Sequence, residues 1–263
     1  MYDFDYKKPT AVAEAVAALG ADMEAKALAG GQTFIPVLKQ RLNKPSVVVD
    51  LAKLGLTGIT VTPTTVTIGA MTTHATVAAS AEVKQAIPAL AHLASMIGDE
   101  AVRHRGTIGG SLANNDPSAC YPAAAMGLWA TITTDRRAMN PDEFFQGMFT
   151  TALEQGEIIT SVTFHVPKRA AYIKFKNPAS RYAMVGVFVA QFEQGVHVAV
   201  TGASQGGVFR HKAFEAALNA NFSPDALNGI ATPAEGLNSD IHASAEYRAH
   251  LIGVMAKRAV AAA

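Results

Sequence analysis

The chain has 263 residues, and its 22 basic and 21 acidic side chains leave a formal net charge of +1. This length predicts a substantial core and two compact units, and the near-neutral charge, without long runs of one sign, excludes electrostatic attachment to nucleic acid. No apolar run reaches the roughly 18 residues of a membrane-spanning helix, and the first residues lack the pattern of a signal peptide, so we expect no membrane span and no secretion.

The only cysteine, Cys120, limits the redox chemistry that the chain can carry. One thiol excludes an intrachain disulfide, and it also excludes an iron–sulfur cluster or a zinc site built from several thiolates of this chain. The histidines do not have the spacing of metal ligands. We therefore expect no metal site, and we expect an organic cofactor if electrons reach this chain.

A strand, a glycine turn, a helix and a second strand are predicted near the N-terminus. A helix over 10–19 comes first, followed by a short strand over 26–29, a helix over 33–42 and a buried strand over 47–51. The turn is Ala29-Gly30-Gly31-Gln32-Thr33. This order predicts a parallel crossover, with the turn at a helix N-terminus, where free N–H groups and the helix dipole favour an anion.

A second glycine segment, Thr107-Ile108-Gly109-Gly110-Ser111, follows a predicted strand over 66–70 and a predicted helix over 88–97. Paired glycines allow close approach, and we expect their N–H groups to be bare and open to a phosphate. Arg103 and Arg105 lie just before the segment, either in a solvated turn or against a phosphate. Two such segments indicate an extended diphosphate ligand, although each is also compatible with a simple tight turn.

These segments match neither the three-glycine dinucleotide fingerprint nor the phosphate loop that ends in Gly-Lys-Ser/Thr. A nicotinamide-binding Rossmann domain and a nucleotide triphosphatase are therefore both disfavoured.

Beyond residue 168 the pattern changes to three strands, over 171–176, 185–193 and 196–204. The last two are joined by the tight turn Gln194-Gly195, which indicates an antiparallel meander. Three helices complete the chain, and they are predicted over 212–218, 223–230 and 243–260.

The predicted fold class is therefore α+β, in two domains. The first covers 1–167 and consists of a small parallel β–α–β subdomain over 1–55 and a mixed or antiparallel sheet subdomain over 56–167. The second covers 168–263 and consists of a three-stranded antiparallel sheet with a helical bundle.

Several motifs that are weak alone become specific in combination. They are Ala29-Gly30-Gly31-Gln32-Thr33, Ile68-Gly69-Ala70-Met71-Thr72-Thr73-His74, Arg105-Gly106-Thr107-Ile108-Gly109-Gly110-Ser111-Leu112, Asp116-Pro117, Gly156-Glu157-Ile158-Ile159 and Tyr182-Ala183. Together they resemble the FAD-binding medium subunit of molybdenum hydroxylases, of the aerobic carbon monoxide dehydrogenase and xanthine dehydrogenase type. The resemblance covers nearly the whole chain and implies that the first domain binds FAD.

The resemblance also implies which residues bind the cofactor. They are Ala29, Gly30, Gly31, Gln32, Thr33, Thr107, Ile108, Gly109, Gly110, Ser111, Asn114, Asp116, Cys120, Ile159, Lys176 and Tyr182. The two glycine segments would hold the diphosphate and the nearby ribityl chain, Lys176 would approach the flavin, Tyr182 would lie near its face and Ile159 would pack beside it. From the residues alone, Lys176 is also compatible with a solvated strand end, and Tyr182 and Ile159 are also compatible with core positions.

One position departs from the family pattern. Relatives commonly carry an acidic residue three positions after Asp116-Pro117, suited to bind the ribityl hydroxyls, and here that residue is Cys120. A thiol is a weak hydrogen-bond partner, so either the flavin is held less tightly or Asn114 and Asp116 supply the polar contacts. Without the resemblance, Cys120 is most simply a small buried hydrophobe.

The implied function is one part of an electron relay. A large molybdenum subunit oxidises the substrate, a small iron–sulfur subunit passes single electrons, and FAD in this chain delivers them to an external acceptor: a quinone, a cytochrome, NAD or oxygen. We expect no catalytic acid, base or nucleophile in this chain, a dimer of heterotrimers, and a location in the cytoplasm, either free or at the inner face of the membrane through partners.

The absence of xanthine-type extensions favours a carbon monoxide dehydrogenase-like complex. Two alternatives stay open: a stand-alone FAD-dependent oxidase and a non-enzymatic protein that binds a diphosphate or nucleotide.

Overall fold

A computed structural model describes all residues from 1 to 263. The helices are α1 (Val12–Gly20), α2 (Phe34–Lys39), α3 (His74–Ala79), α4 (Ala81–Ala86), α5 (Pro88–Ser95), α6 (Glu100–Arg105), α7 (Ile108–Asn114), α8 (Tyr121–Gly127), α9 (Pro141–Phe144), α10 (Lys212–Ala220) and α11 (Ala245–Ala262). The strands are β1 (Asp5–Lys7), β2 (Lys26–Leu28), β3 (Val47–Asp50), β4 (Ile59–Val61), β5 (Thr65–Gly69), β6 (Thr131–Thr134), β7 (Ala138–Met139), β8 (Phe145–Gly147), β9 (Thr150–Thr151), β10 (Ile159–His165), β11 (Arg169–Lys176), β12 (Ala183–Gln191), β13 (Val196–Thr201) and β14 (Phe209–Arg210).

The N-terminal part contains a three-stranded parallel sheet with the order β1-β3-β2. All four residues of β3 are buried, as expected for the central strand of a parallel sheet that is covered on both faces. The pairing of β2 with β3 confirms the predicted parallel crossover, in which α2 connects the two strands. Strand β1 was not predicted, because its three residues, Asp5 to Lys7, are exposed and carry no hydrophobic pattern.

The middle part contains a five-stranded antiparallel sheet with the order β4-β5-β10-β6-β7. Its inward side chains, including Ile68 and Val162, join Leu90 of α5 and Ala124 of α8 in one core cluster. Phe188 of β12 belongs to the same cluster, so α5 and α8 pack between this sheet and the C-terminal sheet. Residues on both sides of position 168 therefore share a core, and the domain division at 167/168 stays a proposal.

The C-terminal sheet is antiparallel and has the order β11-β12-β13-β14. The three predicted strands are present, and the two-residue β14 adds a fourth at the edge, too short to give a sequence signal. Helices α10 and α11 cover the other face of this sheet through a second core cluster that includes Phe214 and Ile252. The helix predicted over 223–230 is wrong: it is a short 3-10 turn over Pro224–Leu227.

Asn115 joins α7 to the hairpin formed by β8 and β9. Its backbone is left-handed (φ 42°) and closes the C-terminus of α7. Its buried side-chain amide donates to the carbonyl oxygens of Gly147 (2.7 Å) and Thr150 (2.9 Å), and its own carbonyl accepts from the N–H of Phe149 at 3.1 Å. One residue thus fixes the end of a helix and the position of a hairpin.

We expect Asn115→Ala to lower the free energy of unfolding by about 1–3 kcal/mol, because two carbonyls lose the donor that a buried amide supplies and a left-handed position gains a strained side chain. Urea unfolding of the wild type and the variant measures this difference in the free energy of unfolding. Asn228→Ala, at an exposed position, is the matched control and should change stability by less than about 0.5 kcal/mol. Equal effects of the two substitutions would contradict the assignment.

Candidate functional site

A cavity of about 630 Å³ lies where the three parts of the molecule meet. The first glycine loop, residues 29–33, lines it from the N-terminal part, the start of α7 lines it from the middle part, and Lys174 and Tyr182 line it from the C-terminal part. This volume lies within the range of about 300–1,000 Å³ that is typical of ligand and cofactor pockets.

The first glycine loop presents backbone donors that the protein itself does not use. The N–H groups of residues 30–33 donate to no other atom of the chain. Gly31 has a left-handed backbone (φ 73°), and a Cβ at Gly30 would collide with the carbonyl oxygen of Arg105. Open N–H groups in succession at the start of a helix form a concave site for an anion.

The second glycine segment has a different structure from the one predicted. Thr107 is the N-cap of α7 and accepts a hydrogen bond from the N–H of Gly110 at 3.2 Å. The N–H of Gly109 donates to Ala70 O (2.8 Å) and that of Ile108 to Thr72 O (3.1 Å). The expectation of bare N–H groups is therefore wrong at these positions, because the start of α7 is bonded to the middle sheet.

The glycines of the second segment serve close packing instead. A Cβ on Gly110 would lie 2.9 Å from the Thr107 hydroxyl and 3.2 Å from the Cβ of Ala29, and a Cβ on Gly109 would lie 2.6 Å from the Cβ of Ala70. The absence of side chains lets the two glycine segments touch, so they form adjacent parts of one cavity wall.

Most of the residues that the sequence singled out line this one cavity. They are Ala29, Gly30, Gly31, Gln32, Thr33, Thr107, Gly109, Gly110, Ser111, Asn114, Asp116, Cys120, Ile159 and Tyr182. Two do not: Ile108 is fully buried in the core, and Lys176 is exposed at the end of β11, beyond a bulge between Phe175 and Lys176. Their role in binding a cofactor stays a prediction for all sixteen.

Lys174 lines the cavity and was missed. Only 9% of the residue is exposed, and its ammonium donates to the carbonyl oxygen of Met96 (2.8 Å) and to the sulfur of Cys120 (3.3 Å). Side chains alternate across a strand, so Lys174 shares a face of β11 with the buried Tyr172. A lysine two residues after an inward tyrosine was the available signal.

The charges that line the cavity are predominantly positive. Lys26, Lys174 and Arg181 face two acidic residues, Asp116 and Glu157. The carboxylate of Glu157 is already neutralised, since it accepts from Arg137 at 2.9 and 3.0 Å. Burial opposes ionisation of Glu157, but hydrogen bonds from Arg137, the Glu154 N–H and Thr134 outweigh it and lower its pKa to about 2. With Glu157 paired to Arg137, the charges that remain in the lining are those of Lys26, Lys174, Arg181 and Asp116, and their net positive charge favours an anionic ligand.

His74 supplies a neutral polar group to the cavity wall. It is 5% exposed, and its Nδ1 has no hydrogen-bond partner. Burial, followed by the charge of Arg103, lowers the pKa of His74 to about 4. The ring is therefore uncharged at neutral pH.

The two arginines before α7 do not line the cavity. The guanidinium of Arg103 donates to the carbonyl oxygens of Ile97 (3.0 Å) and Gly98 (3.1 Å), and Arg105 is exposed. The structure favours the interpretation of this stretch as a solvated helix end over direct contact with a phosphate.

The geometry has a counterpart among known proteins. Residues 2–168 match the family model described as the FAD binding domain in molybdopterin dehydrogenase. The chain belongs to this family. The predicted resemblance to FAD-binding medium subunits of molybdenum hydroxylases is confirmed, as are the α+β fold class, the oxidoreductase class and FAD as the cofactor of this domain.

Similar proteins extend over the full length of the chain. It is 33% identical to the carbon monoxide dehydrogenase medium chain of Hydrogenophaga pseudoflava, covering 99% of this chain and 96% of that one. It is 34% identical to the nicotine 6-hydroxylase medium subunit of Paenarthrobacter nicotinovorans, covering 97% and 95%.

Solved structures agree with these sequence similarities. The carbon monoxide dehydrogenase of Hydrogenophaga pseudoflava lacking the Mo-pyranopterin moiety superposes with a TM-score of 0.89 over 99% of this chain and 96% of that chain, at 33% identity. Quinoline 2-oxidoreductase from Pseudomonas putida 86 gives a TM-score of 0.89 over 99% and 96%, at 27% identity.

None of the helices combines the length and apolar character needed to cross a bilayer. No three His, Cys, Asp or Glu side chains are grouped so as to hold a metal ion.

We expect acid to destabilise the protein partly through Glu157. Its pKa is lower in the folded chain (about 2) than the ordinary value of 4.5, so its stabilising effect is complete above pH 4.5 and is lost as the pH falls towards 2. Glu157→Gln should lower stability at pH 7 by about 1–3 kcal/mol, since Arg137 loses its charged partner, and should flatten the loss between pH 4.5 and 2.

Thermal and urea unfolding between pH 2.5 and 7 measure this dependence. Glu235→Gln, at an exposed position, is the control and should leave the pH dependence as it is. An unchanged slope in Glu157→Gln would contradict the assigned role.

Proposed function

We propose that this chain is the FAD-carrying electron-transfer subunit of a molybdenum-containing hydroxylase, which takes electrons from an iron–sulfur subunit and passes them to an external acceptor. The observation that carries the proposal is the first glycine loop, whose unpaired N–H groups face a cavity with a positive lining. An anion with an extended shape fits this arrangement, and the FAD diphosphate is such an anion.

The residues present fit FAD at both ends of the cavity. The N–H groups of residues 30–33, with the ammonium of Lys26 in the same wall, would hold the diphosphate. Ser111, Asn114 and Asp116 offer hydroxyl, amide and carboxylate groups to the hydroxyls of the ribityl chain. These three residues supply the polar contacts that a thiol at position 120 provides only weakly.

The apolar side of the cavity is suited to a flat ring. Ile159 of β10 and the half-exposed Tyr182, in the loop between β11 and β12, both line the cavity. An aliphatic side chain and an aromatic ring are typical neighbours of a planar cofactor. When bound, the flavin supplies the redox chemistry by exchanging electrons one or two at a time, while the protein positions and tunes it.

No group of this chain is assigned a catalytic role. His74 is uncharged at neutral pH and Glu157 is held by Arg137, so neither is poised to move a proton during substrate oxidation. We infer that substrate chemistry takes place in a large molybdenum subunit and that an iron–sulfur subunit connects it to this cavity, in a dimer of heterotrimers in the cytoplasm or at its membrane face.

We infer that the residues that select the substrate belong to another subunit. Relatives of nearly equal identity belong to carbon monoxide dehydrogenase and nicotine 6-hydroxylase, whose substrates have little in common. We propose a carbon monoxide dehydrogenase-like complex, with a quinone, a cytochrome, NAD or oxygen as the acceptor.

The proposal is tested by comparing the isolated chain with the complex purified from its native source through a tag on this chain. The isolated chain should take up FAD and show a flavin spectrum, and no substrate should reduce it. The complex should contain molybdenum and iron–sulfur subunits, and its flavin should be bleached by carbon monoxide or another hydroxylase substrate. Reduction of the isolated chain by substrate would instead support a stand-alone oxidase, and a failure to bind FAD would support a different diphosphate ligand.

We expect Gln32→Glu to weaken FAD binding about tenfold, because it adds a negative charge beside the unpaired N–H groups without changing the size of the exposed side chain. Isothermal titration of the apoprotein with FAD measures the affinity. Gln85→Glu makes the same change on the exposed face of α4, outside the cavity, and should leave the affinity unchanged. Equal affinities of the two variants would place the diphosphate elsewhere.

A further inference from the structure

Cys120 and Lys174 form a buried pair in the cavity wall. The ammonium of Lys174 donates to the sulfur of Cys120 at 3.3 Å. Lys174 is 9% exposed and Cys120 is 5% exposed. The other contact of the ammonium is the carbonyl oxygen of Met96 at 2.8 Å. No carboxylate lies within ion-pair distance of Lys174, although a buried charge is normally compensated by one.

Two buried tyrosines neighbour this pair in the chain. Tyr121 follows Cys120 directly, and Tyr172 lies two residues before Lys174 on the same face of β11. The Tyr121 hydroxyl has no hydrogen-bond partner, and burial, followed by Cys120, raises the pKa of both tyrosines. The surroundings of the Cys120 sulfur therefore hold a lysine and a tyrosine hydroxyl but no carboxylate within ion-pair distance of Lys174.

Both residues of the pair line a cavity that a small oxidant can enter. Cys120 and Lys174 are buried against the protein but line the same cavity, which a molecule of the size of hydrogen peroxide can enter. A thiol that is open to peroxide is oxidised stepwise. A lysine nitrogen in contact with the sulfur offers a second atom to which the oxygen can be joined.

We propose that Cys120 and Lys174 are an oxidative modification site, at which an oxygen atom becomes covalently bound between the cysteine sulfur and the lysine nitrogen. With hydrogen peroxide as the oxidant, the Lys174 ammonium first releases one proton to water. The S–H bond and one N–H bond of the resulting amine are then broken, and one S–O and one N–O bond are formed. Sulfur and nitrogen each lose two electrons. Two peroxide molecules accept these four electrons, and three water molecules are released.

The bridge changes the charge of the cavity. It replaces the ammonium of Lys174 by a neutral nitrogen and fixes two side chains that line the wall. If the cavity binds FAD as proposed above, oxidation lowers the affinity for the anionic cofactor. The modification itself depends only on residues of this chain and does not require a bound flavin.

The test exposes the full-length apoprotein to hydrogen peroxide and measures the intact mass. We expect a gain of one oxygen and a loss of two hydrogens, a linked pair of peptides that contain Cys120 and Lys174 after proteolysis, and reversal by dithiothreitol. Lys174→Arg keeps the positive charge but removes the amine, so it should abolish the linked peptides. Lys84→Arg is the matched control on the exposed face of α4, outside the cavity, and it should form the linkage as the wild type does.

Circular dichroism of each variant before oxidation shows whether it is folded, and Cys120→Ser provides a second variant that must not form the linkage. An oxidised sulfur that is not joined to nitrogen would overturn the proposal. So would a loss of two hydrogens without added oxygen, or a linkage that persists in folded Lys174→Arg. A chain that forms the bridge on oxidation, but fails to bind FAD in its reduced and unbridged form, would refute the proposed function alone.

Discussion

The site depends on a contact between two stretches of backbone. The first glycine loop packs against the carbonyl of Arg105 at Gly30, and Ala29 packs against Gly110 at the start of α7. Side chains at either glycine would separate the N-terminal parallel sheet from the middle part of the molecule. Because they are absent, the loop lies in the cavity wall, and the N–H groups of residues 30–33 have no partner in the protein.

The two glycine segments therefore have different roles, although they look alike in sequence. In the first, unpaired donors are the functional feature. In the second, the donors are used to attach α7 to Ala70 and Thr72, and the glycines provide close packing. A short sequence pattern identifies where backbone can approach closely, but the partner of each N–H group is set by residues that are distant in sequence.

Other features were also predictable where they depend on residues that are close in sequence, and not where they depend on distant ones. The crossover of β2, α2 and β3 was predictable because its signals lie within about 25 residues of one another, in a pattern that β–α–β units share. Helix α7 was not predicted, because its first turn contains two glycines and glycine has a low helix propensity. Strand β11 was predicted, but its bulge at Phe175 and Lys176 was not, because the bulge arises from the pairing with β12. The burial of Lys174 depends on the contact of β11 with α5. The sequence of β11 alone predicts neither feature.

The shared core around α5 and α8 has a consequence for how the protein is made. These helices contact β11, β12 and β13, and their buried side chains belong to the same core cluster as those of the middle sheet. A ribosome that has released only the first 168 residues has therefore produced a flavin domain with an apolar flank and an incomplete cavity, without Lys174 and Tyr182. Such an intermediate would need the C-terminal sheet, or a chaperone, before it could retain a cofactor. The cavity wall is therefore complete only after β11 and the loop before β12 have been made.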